Sequence, residues 1–224
     1  MTTTKAFPFS RTLVPVLLVL LLNGSTVLAQ AVTPKRADGT PSLYGVVSEN
    51  KYTNEFFGFS FPIPNGFTVI EPEEALLWAK AGGDMLKVEN GKTSKDIDNS
   101  IAKQATLLAV AERPMGSPGN SALEVVVLKQ GNGITANMAL VASVSLITST
   151  GKLKLMNSLT NPRFGGLAFA GALVTGEFNS VKISQEMYVI MRRGYSIHVV
   201  VTYSTDEGRK SVMGILEKIQ FTKL

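Results

Sequence analysis

Between Val181 and Tyr203 the sequence keeps a period of two, and this stretch constrains the fold more than any other. Val181, Ile183, Met187, Val189 and Met191 alternate with Lys182, Ser184, Glu186 and Tyr188. After Arg193-Gly194, Tyr195, Ile197, Val199, Val201 and Tyr203 alternate with Ser196, His198 and Thr202. Successive side chains of a strand point to opposite faces, so two such runs joined by a tight turn make a long antiparallel hairpin. Ser204-Thr205-Asp206-Glu207 then reads as a capping box, with Ser204 as the cap and Glu207 reaching back to it. Val212, Ile215, Leu216 and Ile219 fall at i, i+3, i+4 and i+7, one buried face of a helix over Asp206 to Lys218. Antiparallel strands followed by an amphipathic helix place the chain in the α+β class.

Earlier segments extend this pattern. Phe57, Phe59 and Phe61 alternate with Gly58 and Ser60, a strand stopped by Pro62, Pro64 and Asn65-Gly66, with Tyr44 to Val47 as its expected hairpin partner. Pro72 amid Glu71, Glu73 and Glu74 suits a helix start, where carboxylates meet the positive end of the dipole. A second helix is expected from Asp96 to Gln104, with Asp96 at its start. Leu107 to Ala111 and Leu123 to Leu128 have strand length, and the Ala, Met and Leu content of Thr135 to Ile147 favours a helix. Phe164-Gly165-Gly166-Leu167 marks a bulge or a close backbone approach.

The N-terminus reads as a secretory signal. Lys5 and Arg11 precede the apolar run Leu13 to Leu22, and small residues follow at Gly24, Ser25, Ala29 and Ala31. The run is shorter than the roughly 20 apolar residues a spanning helix needs, so cleavage after Ala29 is expected, with Ala31 as a second site that fits, and, if uncleaved, the segment would tether the chain. Residues 30–42 form a flexible leader rich in Pro, Gly, Thr and charge, and residues 43–224 a single domain. The one Asn-x-Ser sequon, Asn23-Gly24-Ser25, lies inside the signal, which leans towards a bacterial periplasm or the extracellular space.

The chain has 0 Cys and 1 His, which excludes disulfides, thiolate catalysis and multi-histidine metal sites. Its 22 basic residues are scattered among 17 acidic ones, two of the basic ones belong to the signal, and no basic face for nucleic acid emerges. No cofactor is expected.

Two parts of the chain together resemble a family. Tyr52, Asn54, Phe57, Gly58, Phe59, Phe61, Pro62, Pro64, Asn65, Gly66 and Phe67, with the terminal hairpin and the helix closing on Ile219-Gln220-Phe221, look like the PsbP-like domains. That fold occurs in thylakoid-lumen photosystem proteins, in a Ran-binding nuclear import factor and in many exported bacterial proteins. The resemblance implies a three-layer α/β/α sandwich, an antiparallel sheet flanked by helices on both faces. The fold hosts unrelated functions, so it informs architecture before activity.

Candidate site residues are few. Arg192 and Arg193 at the hairpin tip can bind an anionic group. His198 shares a strand face with Ser196, Val200 and Thr202; as a general base it would need a nucleophile and an orienting carboxylate, which spacing does not supply. Thr150-Gly151-Lys152 lacks the first glycine and the Ser/Thr of a phosphate loop and reads as a helix end. Glu71, Glu73 and Glu74 are explained by the helix dipole, and Asp96, Asp98 and Asn99 lack the glycine and distal Glu of a calcium loop. The expected function is an exported, non-enzymatic domain binding a protein or other envelope partner, with no catalytic residue. The alternative is an enzyme or small-ligand carrier whose cleft is built by residues 105–176.

Overall fold

In the computed structural model, residues 42–87, 91–114, 117, 119–159, 161–178 and 180–222 are described. The expected signal and all but the last residue of the leader lie outside them. In chain order the elements are β1 (Val46–Ser48), β2 (Lys51–Asn54), β3 (Phe59–Pro62), β4 (Thr68–Ile70), α1 (Pro72–Leu86), α2 (Gly91–Lys103), β5 (Ala105–Ala111), β6 (Ala122–Lys129), α3 (Ala136–Thr148), β7 (Leu153–Leu159), β8 (Arg163–Phe164), β9 (Leu167–Ala168), β10 (Ala170–Phe178), β11 (Val181–Arg192), β12 (Tyr195–Tyr203), α4 (Asp206–Leu216) and β13 (Gln220–Phe221). The chain is α+β, and every strand pairing in it is antiparallel.

The long hairpin forms as its alternation requires. Arg192 pairs with Tyr195, and Arg193 and Gly194 both take positive φ, 50° and 77°, the geometry of a turn that follows the strands' own twist. β12 and β11 sit inside a seven-stranded sheet ordered β4-β5-β6-β12-β11-β10-β7. A smaller sheet, β1-β2-β3-β13, brings the two ends of the described chain together.

Each face of the large sheet has its own core. On one, Leu123, Val125, Val127, Ile197, Val199 and Val201 meet Val212, Ile215 and Leu216 of α4 and the aromatic strand Phe57, Phe59 and Phe61. On the other, Val126, Leu128, Met187, Val189 and Val200 meet Ala79 and Leu86 of α1, Ile97 and Ile101 of α2, and Leu140, Val144 and Ile147 of α3. Three helices therefore cover one face, whereas the other is covered by α4 together with the small sheet.

Several local expectations are corrected. The strand Phe59–Pro62 pairs with Lys51–Asn54; Val46 and Val47 instead pair with β2 on its far side, because Glu49 and Asn50 turn the chain at φ 50° and 57°. Asn54 Oδ1 accepts from the Phe57 backbone N–H at 2.8 Å and redirects the chain into β3. The cap of α4 is Thr205, whose hydroxyl accepts from the Gly208 N–H at 3.1 Å, so Ser204 lies outside the helix, which ends at Leu216. α2 starts at Gly91, and Asp96 lies inside it, paired with Lys92 at 2.7 Å one turn away. Pro72, Glu73 and Glu74 do open α1, and Thr135 to Ile147 is helical, with Thr135 as the cap. Gly165 is required by a close approach. At φ +53°, its missing side chain would lie 2.7 Å from the Ile219 carbonyl, which lets the β8-β9 hairpin lie against the end of the chain.

Ile215 is fully buried in the α4 core. Ile215→Asp removes that anchor and buries an unpaired carboxylate, which costs at least about 2–5 kcal/mol. The expected outcome is loss of the cooperative thermal transition by circular dichroism; superimposable melts of variant and parent would place this helix face outside the core.

Candidate functional site

The densest polar arrangement lies on the α4 side of the hairpin. In β11 the even-numbered residues face α4, which sets Glu186 beside Tyr188 and opposite β12. Its buried carboxylate accepts from the Tyr203 hydroxyl at 2.8 Å, from the Tyr188 hydroxyl, and from Nε and Nη2 of Arg209 on α4, the last at 3.2 Å. Burial alone would raise the Glu186 carboxyl; the hydrogen bonds from Arg209, Tyr188 and Tyr203 outweigh it and hold the group below the usual carboxylate range. Burial and the Glu186 charge push Tyr203 up to about 12, and Tyr188 is raised by the same two causes. A carboxylate already saturated by four donors, beside phenols that stay protonated, has no acceptor left for a substrate proton. Chemically it is a strut that ties α4 to the hairpin.

The opposite face of the same strands carries a second polar group of residues beneath the three helices. Ser196 and His198 are both fully buried; Ser196 Oγ lies 3.0 Å from His198 Nε2 and accepts from Gln130 Nε2 at 2.7 Å. His198 Nδ1 has no hydrogen-bond partner among the described residues, and burial lowers the imidazole to about 3. The expected strand face of Ser196, His198 and Thr202 thus exists, and it does bring a hydroxyl to the imidazole. At 0% exposure, however, the pair is out of reach of any external substrate. Further along β12, Thr202 Oγ1 accepts from Nε2 of Gln185, its neighbour on β11, at 3.1 Å. Glu124, on this face opposite Val200 and Ala109, accepts from Thr106 Oγ1 at 3.1 Å. Burial pushes the Glu124 carboxyl up to about 8, so it is a neutral acid at pH 7.

The hairpin-tip arginines are turned back onto the protein. Arg192 lies over the Phe221 ring at 5.0 Å and donates from Nη2 to the Thr222 carbonyl at 3.1 Å; Arg193 lies over Phe56 at 5.3 Å. The structure does not bring them together with His198, which sits on the face away from the small sheet that they cover. Gly151 follows α3 at φ 73° and leads into β7, as a helix-ending glycine does. Among the described residues no group of three His, Cys, Asp or Glu side chains is placed to hold a metal ion.

Residue-by-residue motif reading missed a different feature. α3, ANMALVASVSLIT, contains no charged residue. It packs on β7, β10 and β11 and leaves Met138 50% and Val141 63% exposed. Beside it, β7 is an edge strand of the large sheet, with Leu155 47% and Met156 59% exposed and a register shift opposite Leu173 and Val174. The signal for it was there: a helix without a single charge has no solvent face of the usual kind. At the end of the same strand lies an open cleft of about 700 Å³ that includes Lys152, Lys154 and Lys182.

His198 and Glu124, buried on the same face of the sheet, give the domain two opposed pH dependences. The unfolded chain protonates His198 near 6.5, while the folded chain resists until about 3, so this contribution is complete above pH 6.5 and is lost as the pH falls. Glu124 acts in the opposite sense: stability present below pH 4.5 is lost as the pH rises through the window to about 8. Between 4.5 and 6.5 the slopes cancel, which gives a plateau with a fall on each side. Glu124→Gln removes the alkaline fall and is on the order of 3–5 kcal/mol more stable than the parent above that window. Denaturant midpoints against pH measure this; an unchanged alkaline limb in the variant would exclude Glu124 as its source.

No family model and no curated protein sequence matches the chain. Among solved structures, the solution structure of cyanobacterial PsbP (CyanoP) from Synechocystis sp. PCC 6803 aligns at 12% identity and a TM-score of 0.49, covering 82% of this chain and 98% of that one. LpqN, involved in cell envelope biogenesis of Mycobacterium tuberculosis, aligns at 12% identity and a TM-score of 0.43, covering 74% of this chain and 83% of that one. A Pseudomonas aeruginosa protein of unknown function, a putative regulator, aligns at 12% identity and 0.38 over 50% of this chain and 80% of its own.

Proposed function

We propose that this chain is an exported, non-catalytic domain of the PsbP-like three-layer α/β/α type that binds a protein partner of the cell envelope along the α3–β7 edge. The observation that carries the reading is the apolar surface of Met138, Val141, Leu155 and Met156 beside a strand whose outer edge pairs with nothing in the large sheet. A strand edge offers a row of backbone donors and acceptors, and apolar side chains next to it supply the burial that backbone pairing alone lacks. The occupant that fits is an extended, largely apolar segment of another protein, added beside β7 with its side chains against Leu155 and the uncharged helix. Export follows from the basic start, the apolar run and the small residues around Ala29.

The chemistry of the buried groups is consistent with this reading. Ser196 and His198 are closed off and Glu186 is saturated, so the strongest candidates for acid–base work serve packing. The second reading, an enzyme or small-ligand carrier with a cleft built by residues 105–176, draws support from the cleft at Lys152, which Gly151, Lys152, Lys154, Thr175 and Gly176 line together with residues outside that stretch.

Mass spectrometry of the protein isolated from its native envelope is expected to find a mature N-terminus at Gln30; an intact Met1 on a membrane-pelleting chain would refute cleavage and favour a tether. Val141→Asp and Leu155→Asp change exposed side chains and should leave the melting temperature within a few degrees of the parent. Cross-linking in the native envelope should give the parent a defined adduct that both variants lose. If the adduct persists in both, or if it is a homodimer by mass, the protein-partner reading of this edge fails.

A further inference from the structure

The cleft at the end of the large sheet has a charge pattern that the α3–β7 reading leaves unused. It lies where β7 and β11 begin and β10 ends, and Lys152, Lys154 and Lys182 contribute three ammonium groups against the single carboxylate of Glu177. Register brings them together: Lys154 stands opposite Thr175 of β10, and Lys182 stands opposite Glu177 on β10's other side. With adjacent strands about 4.8 Å apart and Thr175 and Glu177 two residues apart along β10, the two flanking strands hold these lysines about 12 Å apart at the backbone.

The three are not equivalent. Lys152 Nζ donates to the backbone carbonyls of Met85 and Lys87, at the C-terminal end of α1. That helix has no basic residue in its own last turn, so Lys152 supplies the cation its dipole favours there. An ammonium has three N–H groups, and two are used, which leaves a fixed donor beside the cleft. Lys154 and Lys182 have no side-chain hydrogen bond or ion pair among the described residues, and Glu177 forms no ion pair with its cross-strand neighbour Lys182. Three positive charges against one negative leave a surplus of two among the residues that line the cleft. Met85 and Phe178 add apolar surface to the same cleft.

We infer that this cleft binds an organic phosphate monoester, its phosphate held by Lys152, Lys154 and Lys182 and its carbon skeleton against Met85 and Phe178. A phosphate monoester carries about −1.5 to −2 charge at pH 7, which matches the surplus, and its oxygens accept from several ammonium groups at once. The same chemistry occurs in a soluble phosphate ester and in the headgroup of phosphatidic acid, and the experiment has one arm for each.

The purified protein is titrated calorimetrically with glycerol phosphate, with sulfate as a competitor, and is sedimented with vesicles of phosphatidylcholine with and without phosphatidic acid. The double variant Lys154→Gln/Lys182→Gln runs in parallel; both side chains are exposed, so its melting curve should match the parent's. The expected result is binding in one arm that weakens with added salt and falls by at least about tenfold in the double variant. Glycerol phosphate binding identifies a soluble ligand, and binding only to phosphatidic acid vesicles identifies a lipid. Failure in both arms, equal binding by the double variant, or displacement by sulfate at equal concentration overturns the assignment. Val141→Asp, which tests the α3–β7 edge, should leave this binding unchanged, so the two readings fail separately.

Discussion

The structure depends on one constraint: β12 and β11 are buried on both faces. A hairpin at a surface can give one face to water, and its alternate residues are then simply polar. Here α4 and the small sheet close one side and three helices the other, so Glu186, Gln185, Ser196, His198 and Thr202 are all withdrawn from solvent. A buried polar group costs free energy unless it is partnered. The two polar groups on the hairpin's faces follow from that. On the α4 side, Arg209 reaches in from the helix and the carboxylate stays charged; on the other side neither Glu124 nor His198 has an ion-pair partner among the described residues, so burial keeps Glu124 neutral and His198 unprotonated.

This also explains how much of the fold could be read from the sequence. The period of two from Val181 to Tyr203 located the central hairpin and its turn, and the spacing of Val212, Ile215, Leu216 and Ile219 located the helix on it, because both patterns are local. The strand paired with Phe59–Pro62 was misassigned because its pairing turns on Glu49 and Asn50, residues with no glycine to announce their positive φ. Thr205 took the cap from Ser204 because both can serve, and the choice is made by where α4 must start to seat its apolar face. Pattern alone could not show that the face of Ser196, His198 and Thr202 is covered: covering it takes α1, α2 and α3, far away in sequence.

The candidate surfaces were less legible still. Arg192 and Arg193 read as an anion-binding tip from their place at a turn; the aromatic rings of Phe56 and Phe221 that they lie over come from opposite ends of the domain. The lysine cleft draws on three strands, and no linear motif links Lys152, Lys154 and Lys182. By contrast, the lack of charge along α3 is visible in one line of sequence, and it becomes meaningful only when the helix is seen beside an open strand edge.

Near both edges of the large sheet, one strand carries a residue more than its partner has places for: Leu107 lies between the pairs of Thr106 and Leu108, and Met156 between those of Leu155 and Asn157. On either side of each surplus residue the ladder resumes in step, so the hydrogen-bonded frame does not fix chain length at these two points. Relatives differing by a single residue can therefore keep every other side chain on its own face of the sheet, provided the gap in an alignment is placed there and not in the central strands, where one step would exchange the two cores.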